Sequence, residues 1–449
     1  MRFYPNIADD RYAPGVVRRF PWMSLAMAQV ACLLVGLLPL ANRGWADEAW
    51  PQILGTNRDG QATGGKLATE WPKSGPPEQW RYPLGSGYAG AASQDDLVLV
   101  FHRVEDEERL ECLNASLPAG TTSEQRRVWR TGWPTSYQGG VDPDHGPRCV
   151  PLIHDGKVIA FGAAGDLHCV SLADGKQLWN RELGQELQAE EGYFGFGSSP
   201  IVWQDRALVN LGGKRGAGLV AVDLATGKTV WQATNEAASY SSPILWRAEP
   251  PQVLFVTRMN GMLIDPRTGD VLCEFPFGRR GPTVNAAVPQ KVDARHAFVT
   301  ASYGIGAQLV DVEARPPKVV WAGDMELSSQ YPTPVLADGF LFGVHGREDG
   351  PPAELRCVDV RTGEVRWAKS GFGMAHLIRV GPQLLSVQVD GRLKLLAASP
   401  KAYQELASAK IPQARITRAL PALAHGRLLI RSSDPPSGAL ICLQVGSSE

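Results

Sequence analysis

The segment GLVAVDLATGKTVW (residues 218–231) combines two short strands with a tight turn and ends on tryptophan. The run 219–223 is rich in β-branched and aliphatic residues, which is typical of a strand. The turn 225–227 places Gly227 where a hairpin requires a positive φ. The same unit returns as GMLIDPRTGDVL (261–272) and ELRCVDVRTGEVRW (354–367). Hairpins of one kind are therefore predicted to repeat along the chain.

The repeat extends beyond this hairpin to a unit of four strands. Residues 150–179, VPLIHDGKVIAFGAAGDLHCVSLADGKQLW, contain a strand led by valine and proline, a second apolar strand, an alternating strand and a last strand closing on Trp179. Four short antiparallel strands per repeat are typical of a propeller blade. We expect each closing tryptophan to pack between neighbouring blades. The tryptophan closing positions are Trp80, Trp129, Trp179, Trp231, Trp321 and Trp367, and Cys273 and Leu406 take this position in two further repeats.

The end of the chain supplies three strands without a fourth. Residues 420–445, LPALAHGRLLIRSSDPPSGALICLQV, stop after the third strand, whereas EQWRYPL (78–84) stands alone near the start. An N-terminal strand that completes the last blade would close the ring and remove its open edge. The sequence predicts an all-β, eight-bladed propeller over residues 78–446, with seven blades as the alternative if the degenerate repeat near Leu406 is misread.

Composition excludes several classes of protein. The 449 residues carry 45 Lys and Arg against 46 Asp and Glu, so no charge excess exists to neutralise the phosphates of a nucleic acid. A hydrophobic fraction of 44% is too high for a disordered chain. The 48 glycines and 34 prolines indicate many turns, as a propeller requires.

The first residues have the order of an export signal. Residues 1–22 are polar, with Arg18 and Arg19 near their end, and residues 25–40 are apolar. Gly44-Trp45-Ala46 then has small residues at the two positions that a signal peptidase recognises. Residues 1–46 are therefore predicted to be a signal peptide or an uncleaved membrane anchor, followed by an N-terminal extension over 47–77. Cleavage leaves 40 basic and 44 acidic residues, and the protein is predicted to be exported, periplasmic or extracytoplasmic.

The unit Gly-x-Leu-x-x-x-Asp-x-x-Thr-Gly-x-x-x-Trp resembles the repeat of pyrroloquinoline-quinone (PQQ) type propellers. This family includes quinoprotein alcohol dehydrogenases and BamB-like assembly scaffolds. The stretch WPQILGTNRDG (50–60) is similar to the start of exported PQQ-like proteins without a dehydrogenase module. The resemblance implies a non-catalytic binding or assembly scaffold. The alternative that it implies is a quinone-dependent alcohol or sugar dehydrogenase with its cofactor in the central channel.

The resemblance also says what a quinone enzyme would need. Adjacent cysteines, a calcium site of Glu, Asn and Asp, and a catalytic Asp are expected in such an enzyme, and this sequence has no Cys-Cys pair. We therefore predict no catalytic residues, no metal and no cofactor, with PQQ and calcium as the alternative. The partner is expected to be a protein or a small anionic or planar ligand. Contact with a membrane is expected only through an uncleaved N-terminal segment.

Two groups of residues invite a chemical interpretation. Cysteines recur at one strand position of the repeat, which favours buried free thiols over disulfides. The loop 139–148 gathers Asp142, Asp144, His145 and Arg148, which is either a hard-cation or acid–base cluster or a solvated turn.

The residue three positions before each first-strand proline, or its equivalent, should lie at the mouth of the central channel. These residues differ between repeats, which is where individual function is expected. The predicted channel-mouth residues are Arg148, Gly197, Tyr240, Asn285, Tyr331 and Arg418, joined by His376 from the degenerate blade. A second candidate is a loop patch of Tyr193, Phe194, Phe196, Arg279 and Arg280. Its aromatic residues could bind a ligand or a partner, and its arginines could bind an acidic partner.

Overall fold

The computed structural model describes residues 49–434 and 438–447, and folds them into eight sheets of four antiparallel strands, one of which carries a fifth, parallel strand. The first strands of several neighbouring sheets contact one another, so the sheets are arranged radially around a central channel. The prediction of an all-β, eight-bladed propeller is confirmed, and the seven-bladed alternative is wrong. Residues 1–46, with the predicted signal or anchor and Cys32, lie outside the described residues.

Strands are numbered in chain order. Two of them precede the first blade, β1 (Gln61–Ala62) and β2 (Glu78–Leu84). Blade 1 holds β3 (Ala92–Gln94), β4 (Leu97–Val104), β5 (Glu107–Asn114) and β6 (Arg127–Pro134); blade 2 holds β7 (Leu152–His154), β8 (Lys157–Phe161), β9 (Leu167–Ser171) and β10 (Gln177–Arg181). Blade 3 holds β11 (Ile201–Trp203), β12 (Arg206–Asn210), β13 (Leu219–Asp223) and β14 (Thr229–Ala233); blade 4 holds β15 (Ile244–Arg247), β16 (Gln252–Val256), β17 (Asn260–Ile264) and β18 (Val271–Pro276).

The second half of the ring repeats the pattern. Blade 5 holds β19 (Gln290–Lys291), β20 (His296–Ala301), β21 (Gly306–Asp311) and β22 (Lys318–Gly323); blade 6 holds β23 (Val335–Ala337), β24 (Phe340–His345), β25 (Glu354–Asp359) and β26 (Val365–Lys369). Blade 7 holds β27 (Ala375–Val380), β28 (Gln383–Gln388), β29 (Arg392–Ala397) and β30 (Glu405–Lys410); blade 8 holds β31 (Ala422–Ala424), β32 (Arg427–Ser432), β33 (Gly438–Gln444) and β2.

Helix is almost absent from this part of the chain. The described helices are α1 (Ser123–Arg126) and α2 (Leu183–Glu186), each of four residues. Neither of these two is long enough to cross a membrane.

In six of the eight blades the closing tryptophan joins its blade to the next by one repeated contact. The indole Nε1 of Trp179 donates to the carbonyl of Leu224 at 2.9 Å, and Trp231 donates to Pro266 at 3.0 Å. The ring rests on the glycine of the next blade's turn, since a Cβ at Gly227 would lie 2.9 Å from the Trp179 ring. The turn glycine therefore serves two purposes, a positive φ and room for the neighbouring indole.

This contact yields a first prediction. The change Trp179→Phe keeps the ring but leaves the Leu224 carbonyl without its donor, so the free energy of unfolding should fall by about 1–2 kcal/mol. Urea unfolding measures it. Trp203→Phe is the control, because the Trp203 indole N–H donates to no residue of the described chain. Equal losses in the two variants would contradict the role given to the indole hydrogen bond.

Strand β2 closes the ring. It pairs antiparallel with β33 from Glu78 opposite Leu443 to Leu84 opposite Gly438, and so supplies the fourth strand of blade 8. The predicted closure by an N-terminal strand is confirmed. Across the seam to blade 1, the Tyr82 hydroxyl donates to the carboxylate of buried Glu111.

Each blade has the same direction, which defines two faces of the ring. We call the side where first strands begin the upper face; it carries the connections between blades and the turns from second to third strands. The lower face carries the remaining turns, including 225–227. The predicted channel-mouth residues that lie three positions before a first-strand proline or its equivalent therefore belong to the upper face.

The first described residues enter the channel from the lower side. We call residues 50–62 the channel segment. Trp50 exchanges two backbone hydrogen bonds with Ser93 of blade 1, and the Pro51 carbonyl accepts from Ile153 of blade 2. At its other end β1 pairs in parallel with β27, the first strand of blade 7. What was predicted as an N-terminal extension is thus partly an internal element of the ring.

Arg58 anchors the channel segment from inside. Its side chain is buried and donates to the carbonyls of Ser199, Pro200 and Pro243, which precede the first strands of blades 3 and 4. Burial lowers the pKa of Arg58 to about 9, which still leaves the guanidinium protonated at neutral pH. One side chain therefore ties the channel segment to two blades.

Candidate functional site

The upper channel mouth holds two arginines that both contact one tyrosine. The guanidinium of Arg148 lies 4.9 Å from the centre of the Tyr88 ring, and that of Arg418 lies 5.7 Å from it. Arg418 also donates from Nη1 to the Tyr88 hydroxyl at 3.1 Å. These contacts join blades 1, 2 and 8 into one charged and aromatic surface.

Arg418 is the centre of this surface. It pairs with Glu348 at 2.8 Å and with Asp142 at 3.5 Å. Burial disfavours the charged form of Arg418, but the hydrogen bond and charge of Glu348 outweigh it and raise the pKa above its usual range. Arg418 therefore stays charged, and Glu348 is held as its partner.

Tyr331 and His376 complete the mouth on the side of blades 6 and 7. The Tyr331 hydroxyl donates to Glu348 at 3.0 Å, and its ring centre lies 5.7 Å from that of His376. His376 is buried, and its Nε2 donates to the carbonyl of Arg418 at 2.8 Å. Burial lowers the pKa of His376 to about 4, so the ring is neutral at pH 7 and its Nδ1 has no hydrogen-bond partner within the described residues.

The acidic loop 139–148 is built into this network. Asp144 pairs with Arg148 at 2.8 Å and also accepts from the backbone N–H groups of Gly87 and Gly146. Asp142 accepts from the backbone N–H of Asp144 at 2.7 Å and faces Arg418. Both carboxylates thus accept hydrogen bonds from donors of the protein itself. The loop is therefore a structured turn that orients two arginines.

Three predicted channel-mouth residues lie apart from this network. The Asn285 side chain is buried and donates to the carbonyls of Thr257 and Arg258, so it holds backbone together. Tyr240 packs against Phe194 with 5.6 Å between ring centres. Gly197 separates Tyr240 from Arg148, because a Cβ there would lie 2.5 Å from the Tyr240 ring. Arg148, Tyr331, His376 and Arg418 are therefore the four that meet around the Tyr88–Glu348 network.

The aromatic part of the loop patch is only partly accessible. Phe196 is buried against Phe161, and Phe194 is half-buried, whereas Tyr193 is exposed by 42%. Tyr193 and Tyr240 line a cavity of about 320 Å³ on the upper side of blades 3 and 4. One aromatic side chain of the patch is thus available to a partner.

Arg279 and Arg280 lie elsewhere on the upper face. Both are exposed, and both line a cavity of about 740 Å³ between blades 5 and 6. No contact in the described structure joins them to Tyr193. The predicted loop patch therefore consists of two separate places.

Sequence reasoning missed Tyr88 and Glu348. Tyr88 stands at the same offset before blade 1 as Arg148 does before blade 2, but no proline marks the first strand of blade 1. Aligning the repeat frame on strands would have found it. Glu348 lies in the turn between β24 and β25, and no repeat position marks it.

The carboxylates at the channel mouth that could serve a calcium ion are paired with arginines. No three His, Cys, Asp or Glu side chains of the described chain converge as metal ligands, and the mouth carboxylates Asp142, Asp144 and Glu348 each face an arginine. The described cysteines are all buried free thiols: Cys112, Cys149, Cys169, Cys273, Cys357 and Cys442. Burial raises the pKa of Cys112 and Cys442 to about 12, so these thiols are unreactive small core residues.

Comparison with solved structures finds similar folds in several proteins. BamB from Moraxella catarrhalis matches with a TM-score of 0.58 and 15% identity, over 83% of this chain and 98% of that one. Quinohemoprotein alcohol dehydrogenase from Comamonas testosteroni matches with a TM-score of 0.66 and 13% identity, over 91% and 82%. A europium-containing methanol dehydrogenase matches at 0.67 and 10%, over 88% and 98%. At these identities the likeness shows the fold alone.

Comparison with curated proteins gives no match. A family model described as "Outer membrane protein assembly factor BamB" matches residues 119–369, which run from the last strand of blade 1 to the end of blade 6 and make up more than half of the chain. The resemblance found in the repeat is confirmed by this match. The chain belongs to the family that carries this description, outer membrane protein assembly factor BamB.

Proposed function

We propose that this protein is an exported, non-catalytic scaffold that binds a protein partner on the upper face of its propeller. One observation carries the proposal: three inter-blade loops of that face present large apolar side chains to solvent. Val141 and Met325 are each exposed by 73%, and Tyr193 by 42%. Exposed apolar side chains on loops held by a rigid ring are typical of a protein-binding surface.

The charged groups of the same face support binding over catalysis. Arg148 and Arg418 hold the nearby carboxylates in ion pairs, and the neutral ring of His376 donates to a backbone carbonyl. Catalysis by general acid or base needs a group that is free to exchange a proton with a substrate. The alternative, a quinone-dependent oxidoreductase, has no metal-ligating cluster in the described residues to support it.

Partner capture tests the proposal. The full chain is immobilised and exposed to an envelope extract, beside a triple variant Val141→Ser, Tyr193→Ser and Met325→Ser. We expect one partner to be retained by the wild type and lost by the variant, because burial of such side chains stabilises interfaces. The matched control is Val319→Ser with Val320→Ser on the outer strand β22, where both side chains are exposed by about 45%.

The alternative is tested on the same preparation. PQQ and calcium are added, absorbance is recorded, and dye-linked oxidation of alcohols is measured. We expect neither stoichiometric quinone binding nor turnover. A quinone spectrum with turnover would overturn the scaffold proposal, as would equal capture of the partner by the wild type and the upper-face triple variant.

A further inference from the structure

A large cavity opens on the upper face between blades 5 and 6. It has a volume of about 740 Å³, and its walls are the loop 279–283 on one side and the turn 345–354 on the other. We call it the arginine cleft, because Arg279, Arg280, Arg347 and Arg356 line it. The turn 345–354 also carries Glu348, so the cleft adjoins the channel-mouth network.

Arg279 and Arg280 carry the free charge of the cleft. Both side chains are exposed, and neither guanidinium has an ion-pair or hydrogen-bond partner in the described chain. Arg347, on the opposite wall, lies 5.1 Å from the Tyr303 ring centre and only 3.4 Å from the exposed carboxylate of Asp349. An exposed pair of this kind is weak and leaves Arg347 available to a ligand.

The remaining charges of the cleft are largely satisfied. Arg356 donates to Glu354 at 2.8 Å and to backbone carbonyls, so the charges of Arg356 and Glu354 cancel. Asp324 accepts from the Ser328 hydroxyl at 2.6 Å. The cleft thus has a net positive charge within a protein of slight negative charge, which favours an anionic ligand.

The loop that carries the two arginines is held in place. Arg258 donates to the Thr283 hydroxyl at 2.9 Å and to the Gly281 carbonyl at 2.7 Å. Gly278 has a φ of +146°, and a Cβ there would lie 2.3 Å from the Arg258 carbonyl. A preorganised loop loses less conformational entropy when it binds.

We propose that the arginine cleft binds an acidic polypeptide segment through Arg279, Arg280 and Arg347. Arginines on opposite walls match several linked carboxylates better than a single ion. Met325, exposed by 73%, lines the same cleft, so an acidic segment would continue into an apolar contact. The inference rests on the proposed scaffold function and gives the chemistry of its partner.

Fluorescence anisotropy of a labelled Glu-Gly repeat peptide tests the proposal on the full chain. We expect binding that weakens as salt increases, and at least about a tenfold loss in the double variant Arg279→Ala with Arg280→Ala, because two charge-assisted contacts are removed. Arg347→Ala should also weaken binding. The matched control, Arg267→Ala with Arg361→Ala, removes two exposed arginines from lower-face turns and should leave affinity unchanged.

Two results would overturn the cleft proposal. One is an affinity that the Arg279→Ala, Arg280→Ala variant leaves unchanged. The other is displacement of the peptide by inorganic phosphate or citrate as effectively as by unlabelled peptide, which would identify a small-anion site. Capture of the partner without peptide binding rejects the cleft and leaves the scaffold proposal standing. If the peptide binds but the upper-face triple variant captures the partner as well as the wild type does, the scaffold proposal is rejected instead.

Discussion

Replacing Arg58 by methionine is expected to lower the free energy of unfolding by about 3–5 kcal/mol, because buried carbonyls lose a charged donor. Those carbonyls belong to Ser199, Pro200 and Pro243, which lie in two blades. Methionine fills much of the same volume, so the loss reports hydrogen bonding more than packing. Thermal and urea unfolding of the full chain measure the effect.

A second measurement locates the effect in the channel. The backbone N–H of Arg379 donates to the Gly60 carbonyl at 2.9 Å, so its hydrogen exchange reports whether the channel segment is seated. We expect faster exchange there in the Arg58→Met variant. Arg366→Met is the control, since Arg366 is exposed and pairs only with Glu364 in the described structure. If both variants are as stable as the wild type, Arg58 does not anchor the segment.

Replacing Glu111 by leucine should open the seam between blades 8 and 1, at a cost of about 3–5 kcal/mol. The Glu111 carboxylate accepts from the Tyr82 hydroxyl, from His102 Nε2 at 3.2 Å and from Arg130 Nε at 2.9 Å. Tyr82 and His102 are buried, so leucine would leave both donors without an acceptor. Urea unfolding measures the loss, and Glu124→Leu at an exposed carboxylate serves as the control.

The same residue predicts a pH dependence. Burial opposes ionisation of Glu111, but the hydrogen bonds from His102 and Tyr82 outweigh it and hold its pKa at about 2, against 4.5 in an unfolded chain. A lowered pKa means that the stabilisation is present above pH 4.5 and is lost as the pH falls towards 2. The stability gap between the wild type and Glu111→Leu should therefore narrow over this range. A gap that stays constant from pH 5 to pH 2 would contradict the assignment.

The periodic features of the fold could be predicted because the chain repeats them. The contact between the Trp179 indole and the turn at Gly227 has equivalents in other blades. Because the two residues of such a contact are separated by a similar number of residues each time, the contact can be recognised in the sequence. The closing strand 78–84 could be found because the last repeat lacks its fourth strand. Blade 7 was harder, and the prediction that Leu406 takes the closing position is wrong. Ala407 pairs with Leu395 at the place where Trp367 pairs with Cys357 in blade 6, whereas Leu406 is exposed by 38%.

Contacts made only once could not be predicted in this way. Arg58 bonds to carbonyls of blades that lie far from it in sequence, and backbone carbonyls carry no side-chain signature. At the channel mouth, the repeat offset found Arg148 and Arg418, but it also selected Asn285, whose amide holds backbone. An offset locates a position on the ring; the direction of a side chain there depends on its neighbours.

Closure of the ring by β2 has a consequence for the order of assembly. Synthesis proceeds from the amino end, so Glu78–Leu84 is made before the first seven blades, whereas its partner Gly438–Gln444 is made after them. Seven blades can form from contiguous chain, but the eighth must wait until β33 has been made, and until then a bare strand edge stays exposed. Pairing between distant parts of a chain is slow and leaves time for aggregation. Every newborn molecule therefore passes through an open ring, the stage at which a chaperone would protect it most.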